Sequence, residues 1–203
     1  MLTDLFDSVT WERFMNDNEY SKQYPRINEI NIFSASTLAY DVQKQVQWKV
    51  RPHGRSNSVN ATMFNGKAIH EYFQRRLKER FSDVVTEKEV EMAFPYSWQN
   101  YPLDHFTIIG HVDAIIPHLG LVVEIKSSDW SGVISPYMKR QLGFYMVALL
   151  DPQAHGLIVK VNRGIHLEEM FFSDAQKWAA EVEARGRECA AVLDKLEGEK
   201  PRV

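Results

Sequence analysis

Ile109-Gly110-His111-Val112-Asp113-Ala114-Ile115-Ile116-Pro117-His118-Leu119-Gly120-Leu121-Val122-Val123-Glu124-Ile125-Lys126 is the stretch on which the reading of this chain turns. Apolar and β-branched residues flank a Pro-His-Leu-Gly segment, a pattern that predicts two strands joined as a hairpin. Side chains alternate faces along a strand, so Glu124 and Lys126 share one face while Val123 and Ile125 take the other. Pairing about the turn sets Asp113 beside Glu124. Two neighbouring carboxylates in an apolar sheet repel unless a cation stands between them. Oxygen ligands of this kind suit Mg²⁺ or Mn²⁺, which stabilise charge on a phosphoryl oxygen and activate water. Lys126 is then placed to orient that water and neutralise developing charge.

A blander reading exists, because Glu-x-Lys arises by chance about once in a chain of this length. A Glu and Lys pair can also simply solubilise an edge strand. Leu121, Val122, Val123 and Ile125 argue against an edge, since they make the strand apolar on both faces, and ionised groups inside such a strand need partners.

Working outward, strands are expected over residues 84–94, 105–116 and 121–126, with Pro95, Pro102, Pro117 and Gly120 as punctuation. Ser34 or Ser36 caps an expected helix running to Val50, which the stretch from Pro52 to Ser58 ends. A second helix is expected over 61–81, where Phe64, Ile69, Phe73, Leu77 and Phe81 recur near helical spacing. A helix over 134–150, strands over 156–161 and 165–172, and a helix capped by Ser173 or Asp174 and reaching Leu196 complete the chain. The fold class is therefore α/β, a small mixed central sheet flanked by helices. Residues 1–33 are polar and acidic, with one short helical candidate over 9–16, and are expected to form an appendage to a single domain over 34–203.

Composition is ordinary for a globular chain, with 44% hydrophobic and 25% charged residues. No apolar run approaches the roughly 18 residues of a membrane span, and the acidic start lacks a secretory signal, so no membrane association is expected. Both features point to the cytoplasm, that of the host for a phage-encoded chain. The single cysteine, Cys189, excludes an intrachain disulfide and a four-cysteine zinc or iron-sulfur site. It is expected to be an apolar packing residue. The net charge of −3 hides an asymmetry, because residues 41–80 hold nine Lys and Arg against three acids, a local +6. Lys44, Trp48, Lys49, Arg51, Arg75 and Arg76 make this segment a candidate phosphate and base contact, although a solvated helix face has the same composition.

Asp113 followed one strand later by Glu124-x-Lys126 resembles the PD-(D/E)XK nuclease superfamily. Gly66-Lys67-Ala68-Ile69-His70 resembles the G-x-x-x-H motif, and Gln141-Leu142-Gly143-Phe144-Tyr145 the Q-x-x-x-Y motif, of its RecB-like branch. That branch includes CRISPR adaptation nucleases and the mitochondrial genome maintenance exonuclease. The resemblance spans roughly residues 34–161 and implies a restriction-endonuclease-like core, α-β-β-β-α-β. It implies that Asp113, Glu124, the Ile125 carbonyl and His70 ligate Mg²⁺ or Mn²⁺, that Lys126 serves the water, and that Gln141 and Tyr145 help hold substrate and catalytic groups. Tyr137, Gln141 and Tyr145 share a helix face by their spacing of four. Tyr137 and Arg140, on that helix, join the candidate DNA contacts. Many RecB-like nucleases carry an iron-sulfur cluster on four cysteines, so this chain resembles the cluster-free members.

The implied activity is metal-dependent DNA hydrolysis, by an exonuclease favouring single-stranded DNA or ends, in recombination, repair or replication. No helicase motif is present, which makes a helicase, recombinase or single-strand-binding protein the expected partner, and a homo-oligomer is a further expectation. Two rivals remain. One is a catalytically silent DNA-binding module of the same fold. The other is a non-haem iron oxygenase using His111, Asp113 and His155 or His166, a pattern that normally needs many more strands than this chain offers.

Overall fold

The strand that carries Asp113 is the spine of the sheet. Residues 29–50, 61–127 and 133–199 are described in the computed structural model. Strand β1 spans Ile32–Ser34, β2 Val85–Pro95, β3 His105–Ile116, β4 Leu121–Ser127, β5 His155–Val161 and β6 Ile165–Met170. On one edge β3 pairs antiparallel with β2, from Val85 opposite Ile115 to Pro95 opposite His105. Its other edge is shared. Thr107 to Ile109 pair with β1 in parallel, and Ala114 to Ile116 pair with β4 antiparallel. Beyond β4 lie β5, parallel to it, and β6, antiparallel to β5.

Helices cover both faces. Helix α1 spans Ala35–Tyr40, α2 Val42–Val50, α3 Ala61–Arg80, α4 Pro136–Ala148 and α5 Phe172–Gly198. The larger core holds Phe106, Ile108, Val112, Val122 and Ile158 of the sheet with Leu38 of α1, Leu142 and Phe144 of α4, and Val182 of α5. On the opposite face Ala114, Val123, Ile125 and Val159 pack with Ile69, Phe73 and Leu77 of α3. These apolar positions recur at spacings of two in strands and three or four in helices, the registers that aim them inward. Full burial of a Val, Leu, Ile or Phe side chain contributes about 1.5–3 kcal/mol.

The order α3-β2-β3-β4-α4-β5 is the α-β-β-β-α-β succession expected from the sequence. Three details differ. Residues 32–34 form a strand, and Ile32 and Phe33 are buried in it, although nothing in this short segment marks it as one. The helix expected from Ser34 to Val50 is broken at Asp41, which is extended at φ −155° and ψ 114°. Its carboxylate accepts from Gln43 N at 2.8 Å, the local capping bond by which Asp interrupts one helix and starts another. The last helix begins at Phe172, ahead of the expected caps Ser173 and Asp174, and leaves Asp174 in its first turn where a carboxylate favours the helix N-terminus. The helical candidate at 9–16 lies outside the described residues. Among the described residues no helix is long and apolar enough to cross a membrane.

Candidate active site

The β3–β4 ladder stops at Ala114 opposite Val123, one pair short of Asp113 and Glu124. From there the strands diverge, and the Asp113 carboxylate fills the fork by accepting from Ile125 N at 2.6 Å. An amide left without its ladder partner is thus satisfied by a side chain. Strand β3 also exchanges faces at this point. Val112 belongs to the larger core and Ala114 to the core beneath α3. Across the other edge Thr86 pairs with Ala114 and Lys88 with Val112, and between them Glu87 takes φ 54°. A left-handed conformation costs a non-glycine residue about 1–2 kcal/mol and marks a strained position beside Asp113.

Helix α3 closes the site from above. His70 Nδ1 lies 3.1 Å from Asp113 Oδ1. One turn later the Gln74 carboxamide donates to the Asp113 backbone oxygen at 3.0 Å and to Glu87 Oε1. Gly66, one turn before His70, has a steric role: a Cβ there would come within 2.9 Å of Ser127 Oγ, at the end of the strand that carries Lys126. The glycine of the G-x-x-x-H motif therefore leaves the Ser127 hydroxyl its place between α3 and β4.

Glu124 is fully buried, and its Oε2 has no hydrogen-bond partner. Its counter-charge is Lys126, whose Nζ lies 2.5 Å from Glu124 Oε1. Burial pushes the Glu124 carboxyl up to about 8, Lys126 opposes that rise, and Asp113 adds to it. For Lys126, burial disfavours the ammonium, but Glu124 and Asp113 outweigh it and hold the pKa above its ordinary value. Lys126 is therefore a firm cation, and Glu124 retains a proton near neutrality while no stronger positive charge is close.

On the opposite helix layer Gln141 and Tyr145 of α4 are both buried, and Gln141 Nε2 donates to the Tyr145 hydroxyl at 2.7 Å. Gly110 of β3 lies under the Tyr145 ring, where a Cβ would meet Cε1 at 2.4 Å. Tyr137 stands two turns earlier, near enough to act electrostatically on Lys126. The structure thus gathers His70, Asp113, Glu124, Ile125, Lys126 and Tyr137 around one fork, with the Gln141–Tyr145 pair on the helix that bears Tyr137.

The donor set fits a hard divalent cation in kind: two carboxylates, an imidazole and the Ile125 carbonyl, with the unpartnered, buried Glu124 Oε2 as the specific sign. Among the described residues no three His, Cys, Asp or Glu side chains converge into a metal cage. Mg²⁺ does not demand one, since it is commonly held by one or two carboxylates together with water and substrate phosphate. The oxygenase triad is not assembled. His111 faces Glu89 at 3.3 Å, His155 packs against Phe171, and His166 meets Asn162 at 3.1 Å.

The candidate DNA contacts divide. Lys44 lies over the Tyr40 ring, Trp48 is 41% exposed, and Arg75 and Arg76 are exposed on α3. Lys49 is engaged with the Glu29 carbonyl. Arg140 joins Glu181 at 2.6 Å and the Ala39 carbonyl at 3.2 Å, so it bolts α4 to α1 and α5. Arg51 lies outside the described residues.

The fold has solved neighbours. SSO0001, known from a crystal structure, is 20% identical over 85% of this chain and 85% of its own, with a TM-score of 0.64. LHK-Exo in complex with dAMP is 17% identical over 83% of this chain and 91% of its own, with a TM-score of 0.55. No family model and no curated protein matches the sequence. At these identities the likeness is one of fold.

Sequence reasoning missed Gln74 and Glu87. Gln74 lies one helical turn past His70, on the same face, and that spacing was the available signal. Glu87 gave none, because its importance comes from a backbone conformation. An open apolar cleft of about 250 Å³ lined by Phe73, Leu77, Leu121, Val123 and Leu157 presents no polar surface and takes no part in this chemistry.

Proposed function

We propose that this protein is a divalent-metal-dependent DNA nuclease that hydrolyses phosphodiester bonds in single-stranded DNA or at DNA ends. The observation that carries the reading is Glu124, fully buried, with Lys126 on Oε1 and no hydrogen bond to Oε2, one strand from Asp113. A buried carboxylate left in this state is costly unless a cation completes it. His70, Asp113, Glu124 and the Ile125 carbonyl would hold Mg²⁺ or Mn²⁺, which when bound supplies charge stabilisation at phosphate and lowers the pKa of water.

The chain's own residues account for the remainder. Lys126 is an ammonium, so it cannot take a proton from water; it donates hydrogen bonds, orienting the attacking water and balancing charge on the pentavalent phosphorus centre. Asp113 is fixed by Ile125 N and His70, so its carboxylate needs no reorganisation during reaction. Tyr137, near Lys126, lines the approach. The fold neighbour LHK-Exo holds dAMP, the kind of mononucleotide released when DNA is cut from an end.

Incubation of end-labelled linear and circular single-stranded DNA with Mn²⁺ or Mg²⁺ tests the reading, alongside EDTA and Glu124→Ala and Lys126→Ala variants. Cleavage of the linear substrate that EDTA and both variants abolish is expected. A wild type that shifts DNA in a gel and never cuts it refutes the enzyme and favours a binding module.

A further inference from the structure

Tyr40 closes α1 with 56% of its surface exposed, yet its ring is held in place. Tyr137 meets it edge to face, with centroids 5.5 Å apart and planes at 87°. Lys44 Nζ lies 4.5 Å from the ring centroid. The backbone beneath is fixed as well. Arg185 donates to Leu38 O at 3.1 Å and Arg140 to Ala39 O at 3.2 Å, which satisfies carbonyls that a helix end normally leaves to water. Asp41 then turns the chain out of the helix.

Isolated exposed aromatic residues are common and need no explanation. This one is different because a perpendicular neighbouring ring, a cation and a pinned helix end restrict it, and because Tyr137 in turn lies near Lys126. Lys44 is the cation at the ring, while Arg140, paired to Glu181, and Arg185 are spent on the carbonyls of Ala39 and Leu38 beneath it. A rigid aromatic face beside a cation is the arrangement that stacks a base and contacts its phosphate. In a duplex both faces of an interior base are already stacked, so such a ring favours an unpaired base over any base inside a duplex.

We infer that Tyr40 is a stacking platform for an unpaired base on the path to the Asp113–Glu124–Lys126 centre, with Lys44 beside it for the adjoining phosphate, so that the substrate enters as a single strand. This rests on reading that centre as nucleic-acid-cleaving.

The test is fluorescence anisotropy of a labelled oligothymidylate on the full chain in EDTA, which prevents cleavage. Tyr40→Ala should weaken binding about 5- to 150-fold, the range that base–aromatic stacking covers, and Tyr40→Phe should stay within about twofold of wild type. A single abasic site walked along the oligomer should weaken wild-type binding most at one position, and Tyr40→Ala should be blind to it there. Equal affinity of wild type and Tyr40→Ala, or the same abasic penalty in both, overturns the platform while leaving cleavage untouched. A wild type that binds no single strand overturns the platform and the reading beneath it together.

Discussion

The Asp113 carboxylate accepts the Ile125 amide at 2.6 Å at the point where β3 and β4 part. One side chain thereby does two jobs, terminating a sheet ladder and presenting its other oxygen to His70. Asp113→Asn should keep the amide partner and fold near wild-type stability. Asp113→Ala should leave the Ile125 N–H unpaired and lose about 1–3 kcal/mol in denaturant titration. Both variants should be inactive on DNA. Equal stability of the two would separate the carboxylate from the architecture.

Glu124 makes stability depend on pH in a definite direction. Its carboxyl rises from an ordinary 4.5 to about 8 in the fold, chiefly through burial. Between those values the folded chain keeps a proton that the unfolded chain has released, so this contribution is complete below about 4.5 and is lost as pH climbs to about 8. The melting temperature of the metal-free protein should therefore fall across that window, and Glu124→Gln should remove that part of the slope. Mn²⁺ should restore stability at the alkaline end, with affinity that rises as pH approaches 8 because the cation displaces the proton. Identical slopes for wild type and Glu124→Gln would contradict this account.

Gln74 ties the Asp113 backbone to Glu87 from α3. Gln74→Leu should cost about 1 kcal/mol of stability. Activity should drop on the order of 10- to 100-fold, because small misplacements of a catalytic carboxylate are expensive. The loss should fall on kcat more than KM, which single-turnover kinetics on a labelled strand would resolve. A loss confined to KM would move Gln74 from positioning Asp113 to binding substrate.

Gly110 and Tyr145 test the second helix layer. Gly110→Ala forces its methyl against the Tyr145 ring, 2.4 Å from Cε1, and should destabilise by about 1–3 kcal/mol while displacing the hydroxyl from Gln141. Tyr145→Phe should lose only the hydrogen bond, about 1 kcal/mol, and retain the fold. If Gly110→Ala melts with wild type, the ring contact is not as tight as the geometry states.

The hairpin was legible in the sequence because alternation and turn chemistry act over a few residues: Val123 and Ile125 do face α3, and Glu124 and Lys126 do share the other side. His70 was legible only in company, since its partner Asp113 lies 43 residues away. What escaped depends on three-dimensional closure. The strand at Ile32 is too short to show periodicity, the face exchange at Asp113 leaves the apolar pattern of β3 unchanged, and the positive φ of Glu87 is imposed by its neighbours. Arg140 failed as a free surface cation for a related reason, because composition cannot tell a cation facing solvent from one bolting helices together.

Because β3 divides one edge between β1 and β4, the site has a built-in order of assembly. The β2–β3–β4 meander closes only short loops and brings Asp113, Glu124 and Lys126 together early, at little entropic cost. Parallel docking of β1 spans a much longer stretch, whereas α3, which ends at Arg80 just before β2 begins at Val85, needs only a short loop to fold onto the meander and deliver His70 and Gln74. A chain arrested with its meander and α3 in place would therefore already hold the acidic fork under His70 and Gln74, with β1 still to dock. On the proposed reading, the cluster at the fork would come together before the longest-range pairing of the sheet.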